Sequence, residues 1–279
     1  MPYRQTIAAA YNAGVTEEYN RLIKTPLREA EFKLIIDLID EYIHKEATVI
    51  DIGSGPGRYA EYLLNKNCNV GVIDLSAKSL KAFSDRIKGF TVKGKIIYNK
   101  VSCATQLNWI TEKSADAILL MGPLYHLINE EHRAIALNHC SRILKPGGYI
   151  FSVFLSPFPL LIELGETNTS SYLETNSEPY KNVKSELTTY THFKGFKVPQ
   201  YRCWPKEAEK LMSSHGFHTV RIRNIEGTAS FFNDQKINSY SGHSKKRMLF
   251  QQLKSTSEDK KLLGITHQYI HVGQLKTMS

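Results

Sequence analysis

The stretch Val49-Ile50-Asp51-Ile52-Gly53-Ser54-Gly55-Pro56-Gly57-Arg58-Tyr59-Ala60-Glu61-Tyr62-Leu63 decides the fold. Its first half, with the preceding Ala47 and Thr48, is a short apolar run rich in β-branched residues that ends at a glycine, which predicts a buried strand. Its second half carries helix formers with apolar residues at helical spacing. Between them lie three glycines in five positions. Such a loop can turn sharply, admit a ligand against bare backbone, and present the free N–H groups of the following helix to it. A dinucleotide loop more often reads GxGxxG, with its third glycine five positions after the first. Here the third comes after four, and an aspartate stands two residues before the first, which disfavours a nicotinamide cofactor.

Downstream, Asn69-Val70-Gly71-Val72-Ile73-Asp74-Leu75-Ser76 predicts a second strand ending at an acid. Asp74 lies 21 residues beyond Gly53, where a carboxylate is suited to accept from the two hydroxyls of a ribose. Either feature alone is commonly a plain turn or a helix cap. Together in one βαβ unit they point to a nucleoside ligand. The alternation continues with a helix near 77–88, a strand near 95–101, a strand at 116–121, a helix at about 130–144 and a strand at 149–156. This order predicts a parallel sheet covered on both faces.

Upstream, residues 16–44 read as one helix, with Leu34, Ile35, Leu38, Ile39 and Tyr42 on its apolar face. After Ser156 the rhythm breaks. Residues 157–203 hold prolines, Ser/Thr/Asn clusters and the aromatic side chains of Tyr172, Tyr180, Tyr190, His192, Phe193, Phe196, Tyr201 and Trp204 without a clean period. They read as a cap inserted after the fifth strand, its rings forming either an apolar acceptor pocket or a small core of their own. A helix then closes at Gly216, a strand follows over 218–226, 234–263 reads as polar helix, and 267–275 as a last strand. The expected units are an N-terminal helical lid (1–46), a ligand-binding core (47–156), the cap (157–203) and a C-terminal completion of the sheet (204–279).

The sequence resembles the class I S-adenosylmethionine-dependent methyltransferases, in particular the small-molecule type. VIDIGSGPGRYAEYL, VGVIDLS, ADAILLMGPLYHL and LNHCSRILKPGGYIFSVF carry the resemblance, which is most specific over 47–156 and reaches the C-terminal LLGITHQYIHVGQLK. It implies an α/β, Rossmann-like, seven-stranded, mostly parallel sheet whose last strand is antiparallel. It implies S-adenosyl-L-methionine as the cofactor. Gly53, Ser54, Gly55, Gly57 and Arg58 would lie at its methionine end with Asp51 nearby, Asp74 on the ribose, and Leu75 and Ser76 beside the adenosine. The family often has Asp-Ala after the third strand, where this chain has Ser102-Cys103-Ala104-Thr105. A thiol is a poor acceptor, so the adenine contact falls to the region of Cys103, Ala104 and Thr105 or to Gln106. Met121 and Gly122 would floor the transfer site. Tyr125 and His126 are the titratable groups nearest the expected chemistry, His126 reading as a general base or as a plain packing residue. Tyr11 and Tyr19 resemble a lid over the cofactor, where an aromatic face attracts a cation.

The net charge of +9 leaves open a nucleic-acid partner, although the basic residues are dispersed apart from Lys245-Lys246-Arg247. The position after the fourth strand reads Gly-Pro-Leu-Tyr, without the amide or carboxylate that adenine-amino methyltransferases place there. The favoured expectation is methyl transfer to an O, N or S atom of a small molecule, an aromatic one among the candidates. The rivals are an RNA or other nucleic-acid methyltransferase and a cofactor-binding subunit without activity. Four scattered cysteines and the absence of an apolar leader or spanning segment lead us to expect a cytoplasmic protein with reduced thiols and neither a metal nor a membrane contact.

Overall fold

The computed structural model of the chain describes residues 2–160, 162, 186–227 and 242–277. Tyr172 and Tyr180 lie outside the described residues, as does the start of the expected 234–263 helix. Three helices come first: α1 (Pro2–Ala13), α2 (Val15–Arg21) and α3 (Pro26–Tyr42). The single helix expected over 16–44 is therefore broken. Thr25 caps α3 by accepting a hydrogen bond from the Arg28 N–H, and Pro26 occupies the first helical position, where its missing N–H costs nothing.

Next come β1 (Thr48–Ile52), α4 (Arg58–Asn65), β2 (Asn69–Asp74), α5 (Ala77–Ile87), β3 (Lys95–Val101), β4 (Ala115–Leu120), the short α6 (Pro123–His126), α7 (Glu130–Ile143) and β5 (Leu144–Leu155). β5 begins earlier than the sequence suggests. Its pairing with β4 jumps from Ala115↔Leu144 to Ala117↔Tyr149, so Lys145-Pro146-Gly147-Gly148 is an irregularity inside the strand. The remaining elements are β6 (Glu186–Phe193), β7 (Phe196–Cys203), α8 (Pro205–Ser214), β8 (Phe217–Asn224), α9 (His243–Ser257) and β9 (Gln268–Leu275).

The sheet runs β3-β2-β1-β4-β5, continues through β9 antiparallel to β5, and ends on β8 antiparallel to β9. These are the seven strands that the sequence predicts. Two more come from the insertion after β5, a hairpin of β6 and β7 that joins β5 at Leu155↔Arg202, giving nine among the described residues. The hairpin escapes a reading by period because the described side chains of β6 are exposed or half-buried, while β7 buries the adjacent Val198 and Pro199 before alternating at Tyr201 and Cys203. Its turn, Lys194-Gly195, has both φ values positive (51° and 80°), the geometry that matches the twist of paired strands.

Alternation along the central strands builds a core on each face. Ile50, Ile52, Ile118, Leu120 and Phe154 pack with Leu137, Cys140, Ala208 and Met212 on one side. On the other, Val49, Val70, Val72, Leu119 and Phe151 meet Ile35, Leu38, Leu63 and Phe83. The four cysteines are free and buried. Among the described residues no helix is long and apolar enough to cross a membrane, and no cluster of metal-ligating side chains occurs.

Candidate functional site

Crossovers leave a crevice at the carboxyl ends of parallel strands, and the site lies there. A cavity of about 1100 Å³, counted out to its mouth, is walled by the ends of β1, β2 and β4 below and by α1 and α2 above. The glycine loop forms its floor. Gly53 and Ser54 both donate backbone N–H bonds to the Ile73 carbonyl, at 2.7 and 3.1 Å, which ties the loop to the end of β2. Gly57 caps α4 with φ of +86°, and a Cβ there would stand 2.2 Å from Phe83. Gly55 also has positive φ, but the nearest atom to a Cβ would be Glu18 Cγ at 3.7 Å. Gly57 therefore serves the fold, whereas Gly55 leaves space that opens into the cavity.

Two carboxylates stand at the strand ends, Asp51 buried and Asp74 half-buried. Asp74 accepts from the Gly55 N–H on one oxygen and from the Ser76 N–H on the other, each at 2.7 Å. Burial raises its pKa to about 6 in spite of those bonds. Asp51 is 3% exposed, and its Oδ2 has no hydrogen-bond partner. Burial, and after it the charge of Asp74, pushes it to about 8. A pair of carboxyls short of donors is suited to a ligand that brings hydroxyls and positive charge.

Leu75, Ser102, Cys103 and Ala104 form one wall, and Met121, Gly122, Pro123 and Tyr125 another, with Ser54 and Arg58 on the floor side. His126 lies in the short helix after β4, 8% exposed, with both ring nitrogens engaged. Nδ1 lies 3.0 Å from the Pro199 carbonyl, which can only accept, so this nitrogen carries the proton. Nε2 then accepts from the Tyr11 hydroxyl at 2.8 Å. Burial pushes His126 down to about 4, so the ring is neutral near pH 7. It lines the cavity with both nitrogens already engaged and is not a free base.

Five residues singled out in the sequence, the exposed Gln106 among them, do not line the cavity. Tyr19 faces away, its ring held between the guanidinium groups of Arg58 and Arg86 at 3.9 and 3.8 Å and its hydroxyl donating to Glu61 at 2.8 Å. Gly57 is turned under Phe83. Ser76 caps α5 by accepting from Ser79 N–H at 3.1 Å and donates to Asn12 of α1 at 2.8 Å. Thr105 lies behind the wall, its hydroxyl 3.3 Å from the Cys103 sulfur. The described aromatic residues of the insertion stay outside as well: Tyr190 is 53% exposed, Tyr201 belongs to the core, and Phe193 and Phe196 pack against α1.

Conversely, Tyr3, Arg4, Ile7, Glu18, Arg21, Leu22 and Tyr59 join the cavity without any motif to announce them. Glu18 and Arg21 pair at 2.9 Å, a spacing of three on one helix that is readable afterwards as an ion pair but not as a site.

A glycine loop, an acid at the end of each of the first two strands and a cavity above the switch point define a nucleoside-binding α/β domain. Residues 49–148 match the family model described as a methyltransferase domain, and the chain carries a class I, S-adenosylmethionine-dependent methyltransferase domain. Over 136 residues it is 30% identical to the ubiquinone biosynthesis O-methyltransferase of Nitrosomonas europaea, covering 48% of this chain and 55% of that protein. Over 110 residues it is 30% identical to the tRNA (carboxymethyluridine(34)-5-O)-methyltransferase of Arabidopsis thaliana, covering 39% of this chain and 24% of that one. The chain thus spans about half the length of the first of these relatives. Among solved structures, it is similar to the Burkholderia thailandensis 1,6-didemethyltoxoflavin-N1-methyltransferase with bound 1,6-didemethyltoxoflavin and S-adenosylhomocysteine. The TM-score is 0.59 at 13% identity, over 99% of this chain and 90% of that one. At that identity the likeness is one of fold.

Proposed function

We propose that this protein transfers the methyl group of S-adenosylmethionine to an oxygen, nitrogen or sulfur atom of a small molecule. The observation that carries this reading is the pair Asp51 and Asp74, which stand at adjacent strand ends and line the cavity together with Gly55. The residues present fit the cofactor. Asp74 retains acceptor capacity for the ribose hydroxyls, the unpartnered Asp51 Oδ2 is suited to the cationic methionine end, and Leu75 and Ala104 offer apolar surface for the base. Bound there, S-adenosylmethionine supplies an electrophilic methyl group on a positively charged sulfur.

The protein's own contribution is chiefly placement, since a leaving group that is already activated asks little of a base. Tyr11 and Tyr125 line the cavity beside His126, and the neutral His126 fixes the Tyr11 hydroxyl by accepting its proton in a hydrogen bond. An acceptor that must lose a proton meets this phenol and an imidazole whose two nitrogens are already engaged. Coverage of the cavity by α1, through Tyr3, Ile7 and Tyr11, favours a small acceptor. The plant relative's name and the net charge of +9 favour a second reading, in which the acceptor is a tRNA.

Calorimetric titration with S-adenosylmethionine, S-adenosylhomocysteine and, as control, NAD tests the cofactor. Binding of the first two, lost in Asp74→Ala without loss of fold, is the expected outcome, and binding of NAD alone would overturn the class. Labelled methyl incorporation into bulk tRNA against a panel of small phenols, amines and thiols separates the two acceptors. A protein that binds the cofactor and methylates neither is a non-catalytic subunit.

A further inference from the structure

On α1, Tyr3, Arg4, Ile7 and Tyr11 recur at helical spacing and form one stripe along the cavity. Three of them have partners. The Tyr3 hydroxyl lies 3.2 Å from His132 Nδ1, Ile7 packs with Ala10 and Val198, and Tyr11 is bonded to His126. Arg4 differs. Its Nε is cut off from solvent without a hydrogen-bond partner, and among the described residues no carboxylate reaches its guanidinium. Among the described residues the cavity's other arginines are committed. Arg21 grips both oxygens of Glu18, and Arg58 donates to the Tyr19 carbonyl while stacking on the Tyr19 ring.

A buried donor on a charged group is costly to leave unmet. Nothing local offsets it: the first turn of α1 contains no acidic residue, and its free backbone N–H groups add to the positive potential. The missing partner is an anion. Arg4 as a whole is half-buried and lines the cavity, and a guanidinium takes a carboxylate or phosphate side-on through two parallel hydrogen bonds.

We infer that Arg4 is a specificity-determining residue for the acceptor, taking the carboxylate or phosphate of a small molecule whose apolar body lies against Tyr3, Ile7, Leu22 and Leu127. The inference rests on the methyl-transfer reading, because it assigns this end of the cavity to the acceptor. It narrows the acceptor from any small nucleophile to an apolar acid.

Benzoate, phenyl phosphate and the neutral isostere benzamide test it, titrated by calorimetry into wild-type, Arg4→Gln and Arg4→Lys protein with and without saturating S-adenosylhomocysteine. The affinity for S-adenosylhomocysteine is measured for each protein separately. At least one anion is expected to bind wild-type protein on the order of tenfold or more tighter than benzamide. Arg4→Gln loses that margin, Arg4→Lys recovers part of it, and the affinity for S-adenosylhomocysteine stays within about twofold, well short of the loss of a charged hydrogen bond. Whichever anion wins identifies the source of the charge. Equal binding of anion and amide, or no binding of either anion, overturns the inference. So does an Arg4→Gln variant that loses S-adenosylhomocysteine, because Arg4 would then belong to the cofactor. Comparing anion with amide on wild-type protein needs no variant to fold. If S-adenosylhomocysteine binds none of the proteins, the methyl-transfer reading falls, while the titrations without it still decide whether Arg4 takes an anion.

Discussion

At the scale of single residues, the site holds its charge in reserve. With a pKa of about 8, Asp51 is mostly protonated at neutral pH, whereas Asp74, at about 6, is mostly ionised. A cationic ligand beside Asp51 favours its ionised form, so binding must expel a proton. We expect the affinity for S-adenosylmethionine to rise as pH goes from about 6 to about 8. Calorimetry at pH 7 in phosphate and in Tris, whose ionisation enthalpies differ, reads the proton release directly, and identical heats in the two buffers would sink the idea. The same shift predicts a cost to the free protein. A folded-state pKa above the ordinary carboxylate value means that, between about pH 4 and 8, each unit costs the folded state about 1.4 kcal/mol at this one group. Asp51→Asn is thus expected to melt at higher temperature than wild type at pH 8, to match it near pH 4, and to bind the cofactor more weakly. A variant less stable at pH 8 would show that Asp51 is satisfied in the free protein.

At the scale of elements, two glycines in one loop should fail in different ways. Gly57→Ala forces a methyl group into Phe83 and a side chain into a left-handed backbone, and should destabilise the protein by about 2–4 kcal/mol. Gly55→Ala meets no atom closer than 3.7 Å, so it should cost only the roughly 1 kcal/mol of the positive φ, its effect appearing in cofactor affinity. Thermal melts and titrations on the two variants read both, and similar melting points would refute the division of labour. α2 has its own latch in Tyr19 between Arg58 and Arg86. Tyr19→Ala should raise amide exchange across 15–21 and leave β1 unchanged, whereas equal exchange in both proteins would deny the latch. The loop, the acid after β2 and the central strands were legible in the sequence because glycine spacing and β-branched runs are local signals. The ceiling of the cavity was not. Arg4, Glu18 and Arg21 belong to helices whose direction depends on contacts with α5 and β7, and nothing within α1 or α2 records those contacts. Tyr19 shows the converse error: an aromatic residue at the right position in the chain faces the wrong way, because two arginines hold it.

Across the whole molecule, the N-terminal helices are fastened to the C-terminal half by charge as well as by packing. Lys246 and Lys254 of α9 pair with Glu29 and Asp37 of α3, each at 2.6 Å, over an apolar seam of Leu27, Leu34, Leu249 and Leu253. Deeper in, Arg28 bridges Glu31 at 2.8 Å and Glu226 at 3.2 Å, and Glu226 in turn accepts from the His267 backbone N–H at 3.1 Å. This network joins α3 to the segments that follow β8 and precede β9. Its two carboxylates titrate in opposite directions. Burial raises Glu31 to about 7, only partly countered by Arg28, and its Oε1 has no partner. Burial also acts on Glu226, but the hydrogen bond and charge of His267, and then Arg28, hold it below the ordinary value. Stability from Glu226 is therefore present above its unfolded value near 4.5 and lost as pH falls below it. The cost of ionising Glu31 is absent below about 4.5 and complete above about 7. Glu31→Gln keeps the shape and removes the charge that the site resists. It should match wild type near pH 4.5 and exceed it at pH 8 by up to about 3 kcal/mol. Arg28→Met instead leaves two buried carboxylates facing one another, so it should cost about 3–5 kcal/mol at pH 8 and less at pH 5, where Glu31 takes up a proton. Denaturant unfolding of the three proteins at both pH values decides the matter. A Glu31→Gln variant weaker than wild type at pH 8 would mean that the attraction of Arg28 outweighs burial, making this network a net source of stability and not a cost that the fold carries to hold its two halves in register.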